Sequence, residues 1–85
     1  MYSVELTDRA NDDLSRLDQA VAQRVTNRLL WLAENCETVR HYALTGRHAG
    51  KFRLRVGDYR ALYWLDRESR RIEVEAIGHR SDVYR

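Results

Sequence analysis

The fifteen residues Lys51-Phe52-Arg53-Leu54-Arg55-Val56-Gly57-Asp58-Tyr59-Arg60-Ala61-Leu62-Tyr63-Trp64-Leu65 decide the fold. Up to Val56 the side chains alternate strictly between charged and apolar, the period-two pattern of a strand with one buried face. Gly57-Asp58 reads as a two-residue hairpin turn, with glycine supplying the positive φ, and residues 59–65 as the return strand. Placing Val56 opposite Tyr59 sets Arg55 against Arg60, Arg53 against Leu62 and Lys51 against Trp64. One face is then apolar throughout: Phe52, Leu54, Val56, Tyr59, Ala61, Tyr63 and Leu65. The other carries the four cations Lys51, Arg53, Arg55 and Arg60. A slip of one residue would drive the arginines into the core, so the register is tightly specified.

Further along, a four-residue loop at 67–70 leads into a third strand over residues 72–77. Its Ile72, Val74 and Ala76 are expected on the core face, and Glu73 and Glu75 on the basic face. Toward the N-terminus, Tyr2, Val4 and Leu6 alternate with polar residues and predict a short strand at a sheet edge. Thr7 or Asp8 then caps a helix, with Asp8, Asp12 and Asp13 near its positive end. Ala10, Leu14 and Leu17 recur at helical spacing. Asp18 reads as a second N-cap, and Val21, Val25, Leu29 and Leu32 form an apolar stripe behind it. Residues 35–50 are polar, contain Gly46 and Gly50, and read as a loop. Its His41, Arg47 and His48 are candidates to touch a ligand, although loop residues of this kind are more often simply solvated. The predicted architecture is α+β: two layers in the order β-α-α-β-β-β, a helical hairpin packed on one face of an antiparallel sheet.

At 85 residues there is room for one domain, and residues 1–85 are read as a single unit. With 44% hydrophobic and 33% charged residues, no proline and four glycines, the chain is neither a disordered tail nor a linker. No apolar run approaches the roughly 20 residues of a membrane span, and the start lacks the pattern of a signal peptide. The one cysteine, Cys36, has no internal partner for a disulfide. These features predict a cytoplasmic protein. The net charge of +2 hides an asymmetry. Residues 1–40 carry five arginines against seven acids, a net of −2, whereas residues 41–85 carry ten basic residues against six acidic ones, a net of +4. A basic second half suits a polyanion or an acidic partner. All but one of the whole chain's 15 basic residues are arginine, the side chain that grips phosphate bidentately.

A face holding Lys51, Arg53, Arg55 and Arg60 is not a core. Two cations about 7 Å apart repel by about 0.6 kcal/mol in water and about 2.4 kcal/mol at an effective dielectric near 20. Glu73 and Glu75 offset only part of this charge, particularly if Arg80 joins the cluster. A phosphate is the natural counterion. Trp64 on the same face, and Tyr84 four residues after Arg80, supply rings on which single-stranded bases stack. Trp64 serves equally well as a contact for a protein partner. His41, His48 and His79 have no ligand spacing with Cys36 or with carboxylates, so neither a metal nor another cofactor is called for. No phosphate-binding glycine loop and no Ser–His–acid set is present. Chemistry on this face has to use cations and a tyrosine, which suits RNA cleavage by its own 2′-OH: a base takes the 2′ proton, cations hold the charge on phosphorus, and an acid protonates the 5′ oxygen.

The run from Lys51 to Tyr63, followed by Gly78-His79-Arg80-Ser81-Asp82-Val83-Tyr84, resembles the RelE/ParE toxin superfamily of bacterial toxin–antitoxin modules. The opening Tyr2-Ser3-Val4-Glu5-Leu6-Thr7, with Ala10 and Asp13-Leu14 after it, fits the same pattern, so the resemblance spans nearly the whole chain. It implies the fold read above and a cognate antitoxin wrapped around the toxin, with any contact to DNA made through that antitoxin. RelE-type members cleave mRNA in the ribosomal A site, and ParE-type members poison DNA gyrase. Carried over residue by residue, the RelE-type catalytic set falls on Lys51, Arg53, Arg60, Arg80 and Tyr84, with Arg55, Trp64 and His79 as further RNA contacts. The chain departs from the pattern at one position: RelE-type members often carry a second lysine where Arg53 stands. Arginine, with a pKa of about 12.5–13.8 against about 10.4 for lysine, is a poor base. The resemblance therefore leaves Lys51, Tyr84 and His79 as candidate bases, with Arg60 on the phosphate and Arg80 at the leaving oxygen. The full set favours a metal-independent mRNA endoribonuclease; the alternative is a gyrase inhibitor on the same fold.

Overall fold

The computed structural model describes residues 1–84. The chain runs β1 (Ser3–Leu6), α1 (Asp8–Ser15), α2 (Gln19–Asn35), β2 (Tyr42–Ala43), a 3₁₀ turn (Gly46–His48), β3 (Phe52–Val56), β4 (Tyr59–Asp66) and β5 (Arg71–His79). The five strands form one sheet in the order β1-β5-β4-β3-β2, with the two helices on one face. The β3–β4 hairpin has the expected register, with Val56 opposite Tyr59, Arg55 opposite Arg60 and Arg53 opposite Leu62. Gly57, at φ 60, makes the turn.

Both helix starts are as expected. The Thr7 hydroxyl accepts from the Ala10 N–H, and the Asp18 carboxylate accepts from the Ala20 N–H. Beneath the helices, Val25, Leu29 and Leu32 of α2 pack with Leu54, Ala61, Tyr63, Ile72, Val74 and Ile77 of the sheet. Tyr59 stands outside this cluster, its ring edge-on to His79 at 5.6 Å.

Three expectations need correction. The sheet is mixed rather than antiparallel, because β1 lies parallel to β5, with Ser3 opposite Arg71 and Leu6 opposite Val74. Alternation of apolar residues reports a buried face but not a direction. Here the helical hairpin returns the chain so that β1 occupies the free edge of β5 in parallel. The segment read as a loop also contributes a strand: Tyr42 and Ala43 pair with Arg53 and Phe52. Two residues are too few to show a period.

The third correction concerns Ala76. Leu62 pairs with Ala76, but the next residue, Tyr63, pairs with Val74, so Glu75 is the extra residue of a β-bulge. The bulge shifts the alternation by one, moving Ala76 onto the face shared with Leu62 and bringing Ile77 into the core. Side chains from the N-terminal half hold it in place. The Thr7 hydroxyl donates to the Glu75 carbonyl at 2.9 Å, and the Ile77 N–H donates to the Asp13 carboxylate at 3.0 Å.

Candidate active site

The non-helical face of the sheet divides into two ends. At one end, Lys51 immediately precedes β3. Its ammonium pairs with the Glu75 carboxylate of the bulge, lies 3.4 Å from Nδ1 of His48, and sits 5.7 Å from the centre of the Trp64 ring. On the other side of the His48 ring, Nε2 is 2.9 Å from the Tyr84 carbonyl. A carbonyl only accepts, so Nε2 carries the proton of the neutral ring, and Nδ1 presents its lone pair to Lys51. Arg47 donates to the same Tyr84 carbonyl at 2.8 Å, and the His48 and Tyr84 rings meet edge to face at 5.7 Å. Gly50 lets the loop pass close over the indole: its φ is 93°, and a Cβ there would fall 2.9 Å from the Trp64 ring.

At the other end lie Arg60, His79 and Arg80, around the Gly57-Asp58 turn. Arg60 and Trp64 are four residues apart on β4, which separates the two ends by about 13 Å at strand rise. Nη1 of Arg60 donates to the carbonyls of Gly57 and Tyr59, each at 3.1 Å. Nε of Arg55 donates to the Gly57 carbonyl as well, at 3.4 Å. The like-charged pair is thus tolerated because both guanidinium groups turn toward one carbonyl dipole. Nδ1 of His79 is 2.9 Å from the Ser81 hydroxyl, and the Arg80 backbone N–H donates to Asp58. Between the two ends, the C-terminal turn folds back over the sheet. Val83 joins Leu62 and Ala76 in a small buried cluster, with Leu44 and Tyr84 packed against it.

The structure therefore brings Lys51, Trp64 and Tyr84 together, and places Arg60, His79 and Arg80 in a second group. Arg53 is drawn away from both, with its guanidinium 5.6 Å from the centre of the Tyr42 ring. Two residues of the Lys51 cluster carry roles that the sequence reading did not give them. The sequence offers His48 as a loop residue able to touch a ligand, with no tie to Lys51, and Glu75 as a counter-charge on the basic face. The spacing of His48, three residues before Lys51 between two glycines, is the signal that could have found it. The contact of Glu75 with Lys51 depends on the bulge.

Cys36, His41 and Tyr63 form a separate network, on the helical side. Nε2 of His41 donates to the Cys36 carbonyl at 2.8 Å, so Nδ1 accepts a hydrogen bond from the Tyr63 hydroxyl at 2.6 Å. Burial, reinforced by the nearby Cys36 thiol, holds the Tyr63 phenol well above its ordinary range. Burial likewise raises Cys36. These groups tie the end of α2 to the sheet. Among the described residues, no three His, Cys, Asp or Glu side chains converge as metal ligands, and no helix is long and apolar enough to cross a membrane.

The model of the ParE toxin of the type II toxin–antitoxin system, parDE, matches residues 4–84. The chain belongs to this family. As a ParE-family toxin it shares its fold with several solved structures. The RelBE2 toxin–antitoxin complex of Mycobacterium tuberculosis is 29% identical and aligns over 92% of this chain and 96% of that one, with a TM-score of 0.82. The isolated RelE toxin of E. coli is 16% identical over 93% and 84%, with a TM-score of 0.77. The YoeB/ParE toxin of Agrobacterium tumefaciens is 21% identical over 91% and 96%, with a TM-score of 0.72. No curated protein sequence matches this ParE-family toxin.

Proposed function

We propose that this toxin is a cytoplasmic, metal-independent endoribonuclease that cleaves mRNA on the ribosome and is held inactive by a cognate antitoxin. The observation that carries this reading is the contact between Lys51 and His48. An ammonium beside an imidazole lone pair at 3.4 Å is a ready path for a proton. Lys51 first passes one proton to Nδ1 of His48; the amine lone pair this frees then takes the 2′ proton, so the lysine ends as an ammonium and the extra proton rests on the imidazole. The 2′ oxygen forms a bond to phosphorus as the bond from phosphorus to the 5′ oxygen breaks, and the 5′ oxygen leaves with a proton from Tyr84, whose ring meets that of His48. The products are a 2′,3′-cyclic phosphate and a 5′-OH. Nε and Nη2 of Arg60, which make no bond within the described residues, are free to hold a neighbouring phosphate further along the same strand. Trp64, half-exposed beside Lys51, offers a stacking surface for a base. Two solved relatives, the M. tuberculosis RelBE2 and the E. coli RelBE assemblies, are toxin–antitoxin complexes, which supports an antitoxin partner here.

A second reading rests on the family match itself, which is to the ParE toxin. On that reading the face binds DNA gyrase and performs no chemistry. Brief induction of the toxin decides between the two. Primer extension on a reporter mRNA should show new 5′ ends within codons before plasmid supercoiling changes. Loss of supercoiling with intact mRNA would establish the gyrase reading instead.

A further inference from the structure

A hollow lined by four arginines lies away from the Lys51 cluster. It is a groove of about 750 Å³ between α2 and the edge of β3. β2 covers that edge only as far as Arg53, so Leu54, Arg55 and Val56 have no strand beside them on this side. The floor is apolar, made by Leu32, Leu54 and Tyr63, and the walls carry Arg28, Arg40, Arg53 and Arg55. A shallower hollow sharing Arg28 and Arg55 adds Arg24. No acidic residue lines either one. None of the five arginines forms an ion pair among the described residues, in contrast to Lys51 with Glu75 and Arg71 with Glu5 and Asp66.

Three of these arginines are already stacked on rings. The Arg28 guanidinium lies 4.1 Å from the centre of the Trp31 ring, and Arg40 and Arg53 lie 5.0 and 5.6 Å from that of Tyr42. Both rings are large and exposed, Trp31 at 39% and Tyr42 at 49%. A guanidinium stacked on a ring keeps its in-plane N–H donors for a phosphate and loses little freedom when one arrives. The groove volume falls in the range of small-ligand sites, room for a nucleotide or two and not for a duplex. Arg53, on β3, lies two residues after Lys51, so a strand of RNA leaving the candidate active site around the β3 edge can reach the groove.

We propose that this groove is a second binding site, for single-stranded RNA, which holds a flank of the strand that Lys51 acts on; its choice of RNA rests on the nuclease reading above. Phosphates sit on Arg28, Arg40 and Arg53, and a base stacks on Tyr42 or Trp31. An acidic polypeptide would satisfy the arginines but would set no ring against the exposed remainder of Trp31 and Tyr42, 39% and 49% of each residue.

The test is fluorescence anisotropy of a labelled twelve-nucleotide oligouridylate with the full chain, across a range of salt, without ribosomes. Arg28→Ala and Arg40→Ala should each lower the slope of log K against log salt by about 0.7. Arg28→Lys and Arg40→Lys should restore it. Tyr42→Ala should weaken binding about five- to a hundred-fold, as expected for one lost base stack. Melting curves that match the parent confirm that each variant folds. Unchanged affinity and slope in all groove variants, with loss only on Lys51→Ala or Arg80→Ala, would overturn the proposal. So would a labelled twelve-residue oligoglutamate that binds the groove more tightly than the RNA does. The two readings fail separately: groove binding without mRNA cleavage overturns the nuclease, and cleavage with groove variants that bind like the parent overturns the groove.

Discussion

Gly50→Ala tests how the loop before β3 positions Trp64, with Gly57→Ala as its control. Both glycines have positive φ, 93° and 60°. They differ in what a Cβ would meet. At Gly57 there is open space, whereas at Gly50 the new carbon would fall 2.9 Å from Cζ3 and 3.5 Å from Cη2 of the Trp64 ring. The left-handed conformation alone costs an alanine about 1–2 kcal/mol, which is the whole expectation for Gly57→Ala. Gly50→Ala adds the contact. Because Trp64 is partly exposed, the ring moves rather than resisting as a packed core would, so the total should be about 2–4 kcal/mol. At about 4–8 °C per kcal/mol for a domain of this size, the control should lose roughly 4–16 °C in Tm and Gly50→Ala roughly 8–32 °C. Displacing the indole also removes it from Lys51, so the emission of Trp64 should shift; a Trp31→Phe background leaves Trp64 as the only tryptophan. Equal melting of the two variants, with Trp64 emission unchanged, would refute the close packing of this loop on the ring.

Tyr63→Phe removes the donor to His41 and should cost about 1–3 kcal/mol, read by urea denaturation. The same residue sets an alkaline limit. Its folded pKa is raised, so the stability it contributes is complete below the ordinary tyrosine value near 10 and falls as pH rises beyond it; melts from pH 8 to 11 should show a decline that is shallower in Tyr63→Phe, which keeps the part due to the raised Cys36 and Tyr2. Arg60→Ala should lower both stability and cleavage, because Arg60 is buried and bonded to two carbonyls of the hairpin. A loss of about 1.5–3 kcal/mol in denaturation would report the hairpin. On cleavage, losing a charged hydrogen bond to a neighbouring phosphate should cost roughly 10–10² in rate at temperatures where the variant is folded.

Much of the fold could be read from the chain because its strongest signals are local. The alternation through Lys51–Leu65 and the Gly57 turn determine the hairpin register, and the caps at Thr7 and Asp18 start the two helices where they are found. The features that escaped depend on contacts distant in sequence. The bulge at Glu75 is held by Thr7 and Asp13, more than sixty residues away, so a strand read by itself puts Ala76 on the wrong face. For the same reason the basic face looked continuous in the sequence. Val83 closing over Leu62 and Ala76 divides it in two, and Arg53 leaves it for a ring on β2, a strand too short to be anticipated. Residue types and positions along the face were legible; the grouping of side chains was not, because it arises from the bulge and the C-terminal turn.

Single-turnover cleavage of mRNA on programmed ribosomes by the parent, Lys51→Ala and Lys51→Arg tests the proton path from Lys51 to His48 most directly. Arginine keeps the positive charge but holds its protons too tightly to pass one on. Lys51→Arg should therefore be nearly as slow as Lys51→Ala, and the parent's products should carry a 2′,3′-cyclic phosphate and a 5′-OH. Near-parental cleavage by Lys51→Arg, or a 5′-phosphate on the product, would contradict the account.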